Sequence, residues 1–152
     1  MADDKTIRPA SPDDVPAIEQ VVNDAYVRYV ERIGKKPGPM LDDYKARVAE
    51  GAVSVLVSAG EIVGVIVLLP EADHLLLDNI AVLPARHGAG LGRRLMEFAE
   101  SEARRRGYAE IRLYTHALMH ENLAMYPRLG YEEFARGEQA GYQRVFMRKR
   151  LG

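Results

Sequence analysis

Residues 75–92 restrict this chain more than any other stretch. An apolar run, Leu75–Val82, is stopped by Leu83 and Pro84. A glycine turn over residues 87–92 then leads into a segment where Leu91, Leu95, Phe98, Ala99 and Ala103 recur at helical spacing. A buried strand, a glycine turn and a long helix, in that order, predict an α/β domain. In Gly88-Ala89-Gly90-Leu91-Gly92 the backbone can approach a ligand, and the unpaired amides of a helix start face outward, so phosphate is the natural guest. The same glycines also read as a flexible turn that packs a helix. A Walker loop is excluded because Arg93 and Arg94 follow Gly92 where Lys and then Ser or Thr are needed. A dinucleotide fingerprint is excluded because the third glycine, counted from Gly90, falls on Arg93.

Around this turn the chain reads as strand, helices, three strands, helix, strand, helix, strand. Ile7 marks a short first strand. Ser11, Pro12 and Asp14 announce a helix whose apolar face carries Val15, Ile18, Val22, Ala25 and Tyr29. The breakers Gly34, Pro37, Gly38 and Pro39 mark a loop suited to bordering a substrate cleft, with a short helix over residues 41–50. Val53–Ser58 and residues 62–69 form a hairpin. Residues 111–115, 120–129 and 142–147 give a strand, a helix and a last strand. The sum is a mixed, mostly antiparallel sheet flanked by helices.

The length, 152 residues, suits one domain over residues 1–152, and 47% hydrophobic with 28% charged residues suits a folded one. Because 21 Lys and Arg meet 22 Asp and Glu, no global field draws the chain to nucleic acid or to an anionic membrane. The polar, acidic start at residues 1–5 and the short apolar runs predict no membrane span. No cysteine is present, so thiolate nucleophiles and cysteine zinc sites are excluded and a reducing, cytoplasmic setting is expected. His74, His87, His116 and His120 lack ligand spacing with carboxylates, so no metal is expected.

The segment Val82-Leu83-Pro84-Ala85-Arg86-His87-Gly88-Ala89-Gly90-Leu91-Gly92 resembles the pyrophosphate loop of the GNAT superfamily of acyl-CoA-dependent N-acetyltransferases. Asn122-Leu123-Ala124-Met125-Tyr126-Pro127-Arg128-Leu129-Gly130-Tyr131 is similar to the family's later segment, a helix whose Tyr is followed by Gly and an aromatic residue. The resemblance implies a single-domain GNAT-like fold, its sheet splayed near Val82, and acetyl-CoA as cosubstrate. It further implies that amides from Gly88 to Arg93 wrap the pyrophosphate and that pantetheine pairs with the backbone of Ile80, Ala81 and Val82. His87 stands where the family usually has Gln or Arg, and Met119 where its helix often begins with Asn. Asn122 is carried over as a cofactor contact.

An amine attacking a thioester is helped when a phenol protonates the departing thiolate, and the resemblance makes Tyr126 the expected acid. The same residue also reads as a core tyrosine beside Leu123 and Leu129. The ammonium form of the acceptor must first lose a proton. Asp78 shares strand parity with Ile80 and Val82, and His116 closes the strand before the second motif, with Tyr114 on its face. Asp78 pairing a basic group, His116 capping a nearby helix, and water as the base all remain open. The expected acceptor is a small-molecule or peptide amine. A non-catalytic acyl-CoA sensor is the second reading, and exposed edges near the last strand leave a homodimer open.

Overall fold

The computed structural model describes residues 5–152, so all but Lys5 of the polar stretch at 1–5 lies outside the described residues. Strand β1, Thr6–Pro9, is followed by the capping box predicted from Ser11 and Asp14. The Asp14 carboxylate accepts the Ser11 backbone N–H at 2.8 Å and holds Arg8 at 2.7 Å. A 3-10 turn, Pro12–Asp14, opens helix α1, Val15–Ile33, which Gly34 ends in the left-handed conformation.

Two compact units divide the chain. One comprises residues up to Leu68 together with Asn79–Phe98, and the other Leu69–Asp78 together with Ala99–Gly152. In the first unit a 3-10 turn, Gly38–Leu41, precedes helix α2, Tyr44–Ala49, which is shorter than the predicted 41–50. The reason is that Asp43 caps it, accepting the Ala46 N–H. Strand β2, Val53–Ser58, pairs antiparallel with β1 and with β3, Glu61–Pro70. Ala59 and Gly60 join the hairpin, both at positive φ, 51° and 79°, as a tight primed turn requires. Ile18 and Val22 of α1 are buried, as are Val55, Leu56, Val63 and Val65 of the sheet. At Gly64 an added Cβ would come within 3.1 Å of the Leu95 side chain and 3.3 Å of Leu56, so the absence of a side chain is what lets these groups close up. The second half of strand β4, Leu75–Val82, and the start of helix α3, Leu91–Arg105, complete this unit.

In the second unit the first half of β4 pairs parallel with β5, Glu110–His116, in the register Leu75↔Ile111 and Leu77↔Leu113. Helix α4, His120–Arg128, follows. Strand β6, Glu132–Gln139, and β7, Tyr142–Arg150, pair antiparallel, and β7 pairs antiparallel with β5. Ile111, Leu113 and Thr115 of β5 are buried, as are Val145 and Met147 of β7. The alternate positions Arg112, Tyr114, Arg144 and Phe146 form a half-buried second face.

The strand order is β1-β2-β3-β4-β5-β7-β6, a mixed sheet of seven strands among the described residues against six predicted. The additional one, β6, has no buried residue and alternates nothing apolar, so hydrophobic period gives no sign of it. Its presence makes β7 internal, and the exposed edge expected at the last strand belongs to β6. Among the described residues no helix is long and apolar enough to cross a membrane.

Candidate active site

The glycine turn sits between a short 3-10 turn, Pro84–Arg86, and α3. Gly88 and Gly90 have φ of 87° and 76°, a region closed to most side chains, and His87, Gly88, Ala89 and Gly90 are exposed. The Gly90 carbonyl accepts the Arg94 N–H at 3.1 Å, so the amides of Leu91, Gly92 and Arg93 precede the first intrahelical donor. A Cβ added at Gly88, Gly90 or Gly92 would meet nothing within 4 Å, so the backbone borders open space of the kind a phosphate fills. Arg86 ion-pairs with Glu61 at 2.9 Å, and Arg93 faces Glu97 at 3.9 Å.

Behind this turn, β4 alternates buried and half-buried residues over its whole length. Asn79 is buried and bridges two tyrosines. Its amide oxygen accepts the Tyr26 hydroxyl at 2.6 Å, and its amide nitrogen donates to the Tyr44 hydroxyl at 3.0 Å. Tyr44 in turn donates to the Pro39 carbonyl at 2.5 Å, and the Tyr26 hydroxyl also lies 3.0 Å from the Ile80 carbonyl, one of the groups predicted to meet pantetheine. This chain fixes the loop before α2 to the centre of β4. Tyr26, Asn79 and Tyr44 escape sequence reasoning because each looks like an ordinary core position of its own element.

Asp78 accepts the Tyr114 hydroxyl at 2.7 Å. Both line an open groove of about 500 Å³ on the half-buried face, together with His74, Arg112, Arg144 and Phe146. Parity alone puts Tyr114 and His116 on one face; the parallel register brings Tyr114 to Asp78. The His116 Nδ1 accepts the Leu118 N–H at 3.0 Å, which leaves the proton of the neutral ring on Nε2, and the ring meets Tyr142 edge-on.

In α4, Tyr126 is 3% exposed and its ring meets Tyr131 edge-on at 6.0 Å. The Tyr126 carbonyl accepts the N–H groups of Leu129 and Tyr131, and Gly130 turns the chain at φ 96°. Asn122 donates to the Thr115 hydroxyl at 3.1 Å, tying the helix to the end of β5. The Tyr131 hydroxyl is buried with no hydrogen-bond partner at bonding geometry among the described residues, although Glu100 is near enough to act on it; burial first, and then that charge, push its pKa up. Among the described residues no group of three His, Asp or Glu side chains is placed to hold a metal ion.

Residues 17–131 match the family model for the acetyltransferase (GNAT) family. The uncharacterized N-acetyltransferase YjgM of Escherichia coli (strain K12) is 33% identical over 128 residues, which cover 78% of this chain and 77% of that protein. The PaiA N-acetyltransferase of Thermoplasma acidophilum, solved with coenzyme A, superposes with a TM-score of 0.82 at 16% identity over 99% of this chain and 100% of its own. The ribosomal-protein-S18-alanine N-acetyltransferase of Escherichia coli gives 0.78 at 22% identity, over 96% and 93%. Both structural likenesses are likenesses of fold.

Proposed function

The chain belongs to the acetyltransferase (GNAT) family, and on that premise we propose that it moves the acetyl group of acetyl-CoA onto a primary amine by direct attack on the thioester. One observation carries the cosubstrate: a left-handed turn at Gly88 and Gly90 that opens bare backbone at the start of α3, where a pyrophosphate needs amides and room. Pantetheine would run along Ile80, Ala81 and Val82. Leu83 donates to the Val63 carbonyl of β3, so strand alternation turns the peptide groups of Ile80 and Val82 away from that neighbour.

The neutral amine nitrogen attacks the carbonyl carbon, the C–S bond breaks, Tyr126 gives the thiolate its proton, and the second proton shed by the nitrogen as the amide forms restores the Tyr126 phenol. The proton lost by the ammonium passes to Asp78, to His116 or to water. Asp78 lies two residues along β4 from Ile80, about 7 Å by strand geometry, which favours it. Release of coenzyme A thiol from acetyl-CoA across an amine panel tests the whole reading. The expected result is an amine-dependent rate that falls on the order of 100-fold in Tyr126→Phe while acetyl-CoA affinity holds. Tight binding with no turnover on any amine would instead favour the sensor reading, and absence of binding would end both.

A further inference from the structure

The half-buried face of the second unit carries three arginines, and they differ in what holds them. Arg112 is paired with Glu110, and Arg148 with Glu132 at 3.1 Å; both lie over the ring of Phe134. Arg144 lies over Tyr114, 4.2 Å from the ring centroid, and over Tyr142 at 5.7 Å. Its polar contact among the described residues is with a neutral group, the Gln139 side-chain oxygen at 2.6 Å. A guanidinium has five N–H donors in a fork matched to a carboxylate, and here one is engaged by an amide while none meets an acid. Tyr114 thus has a cation on its ring and a carboxylate, Asp78, on its hydroxyl, and all three side chains line the groove of about 500 Å³. That volume is in the range of small-molecule sites.

We propose that the acceptor is a small amine that also carries a carboxylate, its amine toward Asp78 and its carboxylate held by Arg144. This rests on the acetyltransferase reading above. Glu110 and Glu132 occupy the other two arginines, which leaves Arg144 as the residue that selects the acceptor.

The test uses matched acceptors differing only in that group: 4-aminobutanoate against 4-aminobutanamide, alanine against alaninamide, and Glu-Ala-Ala amide against Gln-Ala-Ala amide. In at least one small-molecule pair the carboxylate member is expected to have a kcat/KM at least tenfold higher. Arg144→Gln should bring that ratio near one, and Arg144→Lys should keep most of it. On the unmodified protein, butanoate should compete with the acceptor where butanamide does not, which needs no variant to fold. Turnover with no preference in any pair, a ratio that survives Arg144→Gln, or a preference confined to the peptide pair would each overturn the proposal. If no acceptor turns over, calorimetry of 4-aminobutanoate with the coenzyme A-saturated protein decides. Binding lost in Arg144→Gln keeps the carboxylate site while the transferase reading fails, and no binding overturns the site.

Discussion

Asp14 shows how one carboxylate fixes a local structure and a pH response together. Hydrogen bonding to the Arg8 guanidinium holds its carboxyl down to about 2 from 3.8, with the Ser11 N–H adding to the effect. A depressed carboxyl stabilises the folded chain above its unfolded pKa, and that contribution is lost as pH falls from about 4 through 2. Arg8→Ala should therefore flatten the dependence of the urea midpoint on pH in that window. Because Arg8 is largely exposed, added salt should narrow the difference between the two proteins. Tyr131 poses the opposite case, a buried hydroxyl without a bonded partner among the described residues. Removing an unsatisfied buried group is neutral or favourable, so Tyr131→Phe should unfold at the same or a higher denaturant concentration, by up to about 1 kcal/mol. A clear loss of stability would mean that Glu100 accepts a real hydrogen bond there.

Within the element that joins β4 to α3, conformational demand and ligand approach can be separated. Gly88→Ala and Gly90→Ala force a side chain into the left-handed region and should each cost about 1–2 kcal/mol of stability as well as acetyl-CoA affinity. Gly92 lies inside the helix and has open space beside it, so Gly92→Ala should fold at least as well as the native chain, by up to about 1 kcal/mol. It should nonetheless bind acetyl-CoA less tightly, as equilibrium titration would register; unchanged affinity would remove Gly92 from the phosphate contact. This turn was legible in the sequence because everything that defines it is local. Leu75–Val82 was legible to the residue, since Pro84 stops a strand whose residues are all buried or half-buried. The charged edge strand β6 was not, because a strand with no buried face leaves no apolar period. Nor were the Tyr26–Asn79–Tyr44 chain and the Tyr114–Asp78 bond, which depend on how strands and helices far apart in sequence come into register.

At the level of the whole molecule, antiparallel strand pairings predominate among the described residues, while β4 and β5 run parallel and are linked through α3. The distinction carries a consequence for the order of folding. The β2–β3 hairpin needs only the two-residue turn at Ala59 and Gly60, whereas Leu75 must find Ile111 across a turn and a complete helix. Loop closure over the longer span costs more entropy before any contact compensates it, so the parallel pair should form late and limit the rate. Pulse-labelled hydrogen exchange during refolding is expected to protect the amides of Val53–Ser58 before those of residues 75–77. Simultaneous protection would show one concerted step. Late closure of β4 on β5 would leave the strand that bears Asp78 among the last parts of the newly made chain to mature, so substrate recognition would emerge only after the hairpin scaffold is in place.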